Sequence, residues 1–365
     1  MGGQVLEEQF PGWEPNFALF RSVMMGEAAP LRVHLFEHEI DGPFRKKIWV
    51  GRWNLPWGES REQRIFQDIE FRRRMGYDFA TLWGTYRNNP LFSPEGAEGR
   101  RWAQEGLGLI RSREDFEKWD WQAIRVDESV GEIYRALLPA GMKCLMCSPV
   151  WHKIMDDFLG HTGLFTAVIE QPDLVKDVID AWGQKVFDFY ATYIREDFVG
   201  GIFHGDDLGH KTGTLVRPSV IRALFLPWVK KYAALAHQEG KVFFLHSCGN
   251  VYALMEDFLQ DIQIDAFHSF QDTIVPVTDF KKRYGKRTGV LGGVDVDKLA
   301  RLPERELRAY LDSILETCME GGRYALGSGN SITDYVPVSN YRIMIAQAVR
   351  FSESMGWRAP KGGTQ

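Results

Sequence analysis

Seven short apolar runs, separated by segments of helical periodicity, constrain this chain more than any other feature. They are "YDFATLWG" (77–84), "MKCLMCSP" (142–149), "VGGIFHGDD" (199–207), "KVFFLHSCG" (241–249), "IDAFHSF" (264–270), "TGVLGGV" (288–294) and "RYALGSG" (323–329). Each is too continuously apolar for a strand with one wet face and suits a parallel strand covered on both sides. The intervening segments read as helices. In "NVYALMEDFLQ", Val251, Leu254, Met255, Phe258 and Leu259 form one stripe, and Asn250 is the expected N-cap. In "PERELRAYLDSILETCMEGG", Leu307, Leu311, Ile314, Leu315 and Cys318 do the same before Gly321-Gly322 stops the helix. Residues 218–240 are amphipathic but contain Pro227, which predicts a kink or break. This alternation predicts an α/β protein, a (β/α)8 TIM-type barrel over residues 76–355. Residues 1–75 are expected to form a mostly helical extension covering part of it.

Composition narrows the function classes. The chain has 365 residues, 44% hydrophobic and 25% charged, enough to bury a large core. A net charge of −5 gives no basic surplus for nucleic acid. Neither a membrane-length apolar run nor a signal-like N-terminus is present, so the expected location is cytoplasmic. Dinucleotide and P-loop signatures are missing. Aromatics reach 13% and cluster early, in "KKIWVGRWNLPWGES" and "FATLWGTYRNNP". Most are expected in the core, with the remainder able to line a pocket for a flat or apolar substrate.

Two strand ends carry the chemistry. His246 and Cys248 are two residues apart, so they share one side of a strand, at the end where barrel active sites lie. Imidazole and thiolate are both preferred zinc ligands, although packing would also account for the pair. At the end of another run, "FHGDDLGH" places His204 and Asp206 on one face, with Asp207 and His210 following. Adjacent carboxylates repel unless a metal, a cationic substrate group or a general-base role compensates, or one of them caps a helix. Cys144 and Cys147 form a CxxC with no second CxxC, inside an apolar run, and read as packing. Cys318 lies on a helix stripe and reads as structural. Trp83, Cys147, His268 and Gln271, near other strand ends, are candidate substrate contacts.

The stretch "GDDLGHKTGTLVRPSVIRALFLPWVKKYAALAHQEGKVFFLHSCGNV" resembles the uroporphyrinogen decarboxylase superfamily, as does the later "RYALGSGNSITDYVPVSNYRIMIAQAV". The resemblance runs from about residue 140 to 350. It implies one of two activities. True decarboxylases carry an Arg-Gln-Ala-Gly-Arg-Tyr-like N-terminal motif, which this sequence lacks. The other members are corrinoid-linked methyltransferases whose zinc is held by the H-x-C pair and a later cysteine. His246 and Cys248 match the pair, whereas Asn330 stands where the later cysteine is expected. The zinc would then take an oxygen ligand from Asp206, Asp207, Gln271 or Asn330. The alternatives are a site without zinc, or recruitment of Cys318. An oxygen ligand leaves zinc a stronger Lewis acid, which suits demethylation of a methoxylated, aromatic substrate. Asp206 or Asp207 would ligate or orient as catalytic residues, with His204 nearby as an acid or as a support behind the ligands. The corrinoid (cobalamin) would come free or on a partner protein, and a homodimer or a transient complex with that partner fits the reading. The rival activities are decarboxylation, with Arg21, Arg45 or Arg52 binding acid groups, and methyl transfer to a thiol. The non-enzyme rival is a tetrapyrrole or corrinoid binding module.

Overall fold

A computed structural model describes residues 13–89 and 108–357. The N-terminal residues read for targeting signals lie outside this range. All seven apolar runs are strands, and an eighth precedes them. They are β1 (His34–Leu35), β2 (Phe79–Trp83), β3 (Lys143–Cys147), β4 (Val199–Gly205), β5 (Val242–His246), β6 (Ala266–His268), β7 (Gly289–Leu291) and β8 (Tyr324–Leu326). With the helices between them they make an α/β fold. The chain clusters into two compact units that interleave in sequence. The first unit is Met1–Ala80, Ala136–Cys144 and Asp265–Gln365, and the second is Thr81–Arg135 and Leu145–Ile264.

In the first unit the strand order is β1-β8-β7-β6, and every pair is parallel. In the second, β5 neighbours β4. There β4 and β5 pair in parallel, with Gly201 opposite Val242 and Gly205 opposite His246. All seven residues of β4 and all five of β5 are buried. That burial is why these strands read as unbroken apolar runs rather than alternating ones.

The N-terminal segment is helical over α1 (Phe17–Met24), α2 (Gly42–Trp49) and α3 (Arg61–Met75), but it also supplies β1. Its sequence, "RVHLFEHEI", hides the strand because polar residues interrupt it. Three of those residues, Arg32, His34 and Glu37, are buried. Asp78 accepts a hydrogen bond from Arg32 at 2.6 Å and lies 2.7 Å from His34 Nδ1. Elsewhere the periodicity holds. Helices α4 (Pro172–Tyr193), α5 (Pro218–Leu224) and α6 (Leu226–Gln238) follow the second unit's strands, and α5 ends where Pro227 opens α6. In α7 (Glu304–Cys318), the five residues of the predicted stripe are all buried. The segment after Asn250 is a 3-10 turn, Tyr252–Leu254, followed by a π-helix, Asp257–Ile262. Its cap residue is Val251, while the Asn250 side chain accepts a long bond from Tyr252 N at 3.4 Å.

Glu37, just past β1, is wholly buried. Its carboxyl group meets Ser328 N at 2.8 Å and Ser328 Oγ at 2.5 Å, while Arg72 donates only to its backbone carbonyl. Burial pushes this carboxyl up to about 8, against the lowering effect of the Ser328 bonds and the Arg72 charge. A raised carboxyl pKa means that the folded state holds the proton longer than the unfolded chain does. Stability is therefore full below the unfolded value and is lost as pH rises through the folded one. The slope is about 1.4 kcal/mol per pH unit between roughly pH 5 and 8. Glu37→Gln should remove that slope, so urea unfolding at pH 5.5 and 7.5 should show the variant gaining on the native protein. Parallel pH profiles would refute a neutral Glu37.

Candidate metal centre

The site is assembled at the ends of β4 and β5, within the second unit. Strand register brings the two ends level, and the Asp206 N–H donates to the His246 carbonyl at 3.1 Å. Past the strands, two loops abut. Asn250 N donates to His210 O at 2.7 Å, and Leu208 N donates to Ser247 Oγ at 3.2 Å. Gly249 makes this possible. Its φ is +79°, and a Cβ there would lie 2.2 Å from the Gly209 carbonyl carbon.

The abutting loops place three donors together. Cys248 Sγ lies 3.3 Å from His246 Nε2, and Asp207 Oδ1 lies 3.5 Å from the same nitrogen. Among the His, Cys, Asp and Glu of the described residues, Asp207, His246 and Cys248 form the one group of three whose ligand atoms fall within 4.8 Å of each other. The spacing suits a tetrahedral ion. Zinc bonds of ~2.0–2.1 Å to nitrogen or oxygen and ~2.3 Å to sulfur put two ligand atoms ~3.3–3.6 Å apart. The His246 side chain is 4% exposed and that of Asp207 36%, so the group opens to solvent on the Asp207 side. Three protein ligands with one open side is the arrangement of catalytic rather than structural zinc.

The neighbouring groups set the charge of Asp207. Burial works against ionised Asp207, but the hydrogen bond and charge of His246, the Cys248 thiol and the charge of His152 outweigh it. They hold the carboxyl well below the usual carboxylate range. Burial likewise opposes a charged His152. The Asp156 hydrogen bond at 2.8 Å and the nearby carboxylates prevail and push it up to about 8.

The two adjacent aspartates take different roles. Asp207 faces the imidazole and thiol. Asp206 is 2% exposed and accepts from Val150 N at 2.9 Å and His152 N at 2.8 Å, with His204 Nε2 2.9 Å from its Oδ2. Asp206 and His204 are thus both buried, with Asp206 holding the backbone that follows β3, a placement that fits the orienting role expected of it. His210 is exposed and takes no part in the triad. In the same unit Cys147 is buried and Trp83 is 37% exposed. His268, Gln271 and Asn330 belong to the first unit. There His268 Nε2 lies 3.2 Å from Ser328 O, Gln271 is exposed, and Asn330 accepts from Ser331 Oγ at 3.2 Å. Cys144 and Cys318 are buried free cysteines, as their patterns indicate.

Sequence reasoning missed His152, Asp156 and His161, which form a chain leading away from Asp207. His152 Nδ1 is 3.7 Å from Asp207, and Asp156 joins His152 to His161 at 2.8 and 3.2 Å. The available signal was position. "WHKIMDDFLGH" directly follows the β3 run, where titratable residues face the ends of neighbouring strands.

Fold and site together define an α/β enzyme scaffold with an open three-donor centre at its strand ends. The pattern of the uroporphyrinogen decarboxylase (URO-D) family matches residues 158–351, more than half of the chain. The chain belongs to that family. Among solved structures it is similar to a methyltransferase from Methanosarcina mazei, at 15% identity. That match covers 91% of this chain and 97% of the other, with a TM-score of 0.65, so the two share a fold. It also matches a Listeria monocytogenes protein assigned as a vitamin-B12 independent methionine synthase, at 13% identity. There the coverage is 90% of this chain and 99% of the other, with a TM-score of 0.46. No curated protein matches. Among the described residues, no helix is long and apolar enough to cross a membrane.

Proposed function

We propose that this chain is a zinc- and corrinoid-dependent methyltransferase on a (β/α)8 barrel, taking a methyl group from a small methoxylated aromatic. The observation that carries the reading is the Asp207–His246–Cys248 group, with ligand-like spacing and one open side. Bound there, zinc would act as a Lewis acid toward the ether oxygen, and a partner protein would bring reduced corrinoid as the methyl acceptor. His246 and Cys248 provide the nitrogen and sulfur donors, and the Asp207 oxygen keeps the site harder than a second thiolate would. In the transfer, the O–CH3 bond breaks with its electron pair left on oxygen. The corrinoid would supply the Co(I) electron pair that takes up the methyl carbon, and a proton from solvent would neutralise the released phenolate. Half-exposed Trp83 is the proposed apolar wall for the ring.

The test is methyl transfer to Co(I) cobalamin from a panel of methoxylated benzoates and phenols, followed by the change in cobalamin absorption. Turnover of at least one aryl ether is expected. No transfer from any ether, together with demethylation of methylcobalamin by a thiol, would reverse the assignment to a thiol methyltransferase. Loss of carboxyl groups from a porphyrinogen would replace it with decarboxylation.

A further inference from the structure

We infer that Tyr190, His204 and Asp206 form a buried positioning network that sets the geometry of the metal centre; this rests on the metal-binding reading above. The argument begins with a missing cap. The helical turn Trp151–Lys153 starts after Val150, which has no side-chain oxygen to satisfy the first amides. Asp206 supplies that oxygen from the end of β4, accepting from both Val150 N and His152 N. Behind it, His204 is fully buried, with Nε2 2.9 Å from Asp206 Oδ2 and Nδ1 3.0 Å from the Tyr190 hydroxyl on α4. The Tyr190 hydroxyl accepts from Ser148 N at 3.0 Å and donates to Ser148 O at 3.2 Å. Ser148, Tyr190, His204, Asp206 and Val150 thus form a ring around the end of β3, in which His204 and Asp206 meet by a close contact outside hydrogen-bond geometry.

This ring touches the metal centre at two points. Asp206 precedes Asp207 in the chain and its own N–H holds the His246 carbonyl, so both ligands depend on where Asp206 sits. The ring also fixes the backbone of His152, whose side chain approaches Asp207. A buried polar ring of this kind is expensive for stability alone, because apolar side chains of similar volume would pack there at lower cost. Fixing the orientation of ligands is what such outer contacts do around metal sites, and losing one lowers metal affinity about 10–100-fold.

The test uses Co²⁺ alone as the probe, titrated into the metal-free full chain, reading affinity by chelator competition and geometry by the visible d–d bands. Tyr190→Phe keeps the ring shape and removes one hydroxyl. It should weaken Co²⁺ binding about 10-fold and shift the d–d bands. The control is Tyr134→Phe, which likewise removes one buried tyrosine hydroxyl in the same unit, one that donates to Thr81 O at 2.8 Å. It should lower the melting temperature while leaving affinity and bands as in the native protein. Native-like affinity and spectrum in Tyr190→Phe would overturn the network alone. Absence of Co²⁺ binding by the native protein would overturn the metal-binding reading, and the network with it.

Discussion

Replacing Asp207 with alanine is expected to lower zinc affinity by more than ~100-fold, because loss of a supporting contact already costs about 10–100-fold and a direct ligand contributes more. The same substitution at Asn330 should leave affinity within a few-fold of native. The contrast follows from the geometry of the second unit, where Asp207 Oδ1 lies 3.5 Å from His246 Nε2 and its carboxyl is held ionised. Chelator competition with a zinc indicator measures both variants. Equal losses would make Asn330 a partner in the site, and a loss confined to Asn330→Ala would return the third ligand to the position where the family places its later cysteine.

The second large effect belongs to Gly249→Ala. A side chain there meets a backbone conformation that L residues rarely adopt, and its Cβ would press on Gly209 C, Gly209 O and His210 N at 2.2, 2.3 and 2.5 Å. Backbone cannot swing aside as a flexible side chain can, so the two loops must part. Left-handed strain and overpacking each cost roughly 1–3 kcal/mol, giving a loss of about 2–6 kcal/mol. Parting the loops also moves Cys248 away from Asp207, so metal affinity should fall with stability. Gly240→Ala is the matched comparison, since Gly240 has φ +67° but nothing within 4 Å of its Cβ position. Urea unfolding should show a much smaller loss there, and metal binding should be unchanged. Equal losses in the two variants would mean that the loop contact is unimportant.

How much of this was legible in the sequence depended on the kind of signal each feature leaves. Strands buried on both faces leave continuous apolar runs, so β2 to β8 were readable. β1 was not, because Arg32, His34 and Glu37 interrupt the run and find distant partners, Asp78 and Ser328, that no local pattern reveals. The pairing of His246 with Cys248 followed from the two-residue period of a strand. That one aspartate would face the pair and its neighbour turn inward could not be read from "GDD". The assignment depends on Val150 lacking a capping oxygen 56 residues away. The prolines and apolar stripes placed α5, α6 and α7 correctly. The π-helices, Ile154–Phe158 and Asp257–Ile262, differ from α-helices by one residue per turn and left no pattern to recognise. Asn330 drew attention as a departure from the family pattern, whereas the donor brought to His246 and Cys248 was already present beside the strand end.

Elemental analysis of the native protein, purified without added metal or chelator, tests the central claim most directly. The account predicts about one zinc per chain, held by three protein ligands, and a fall to background when Cys248→Ser is prepared in the same way. A native protein without stoichiometric zinc, or a Cys248→Ser variant that keeps its full zinc, would contradict it.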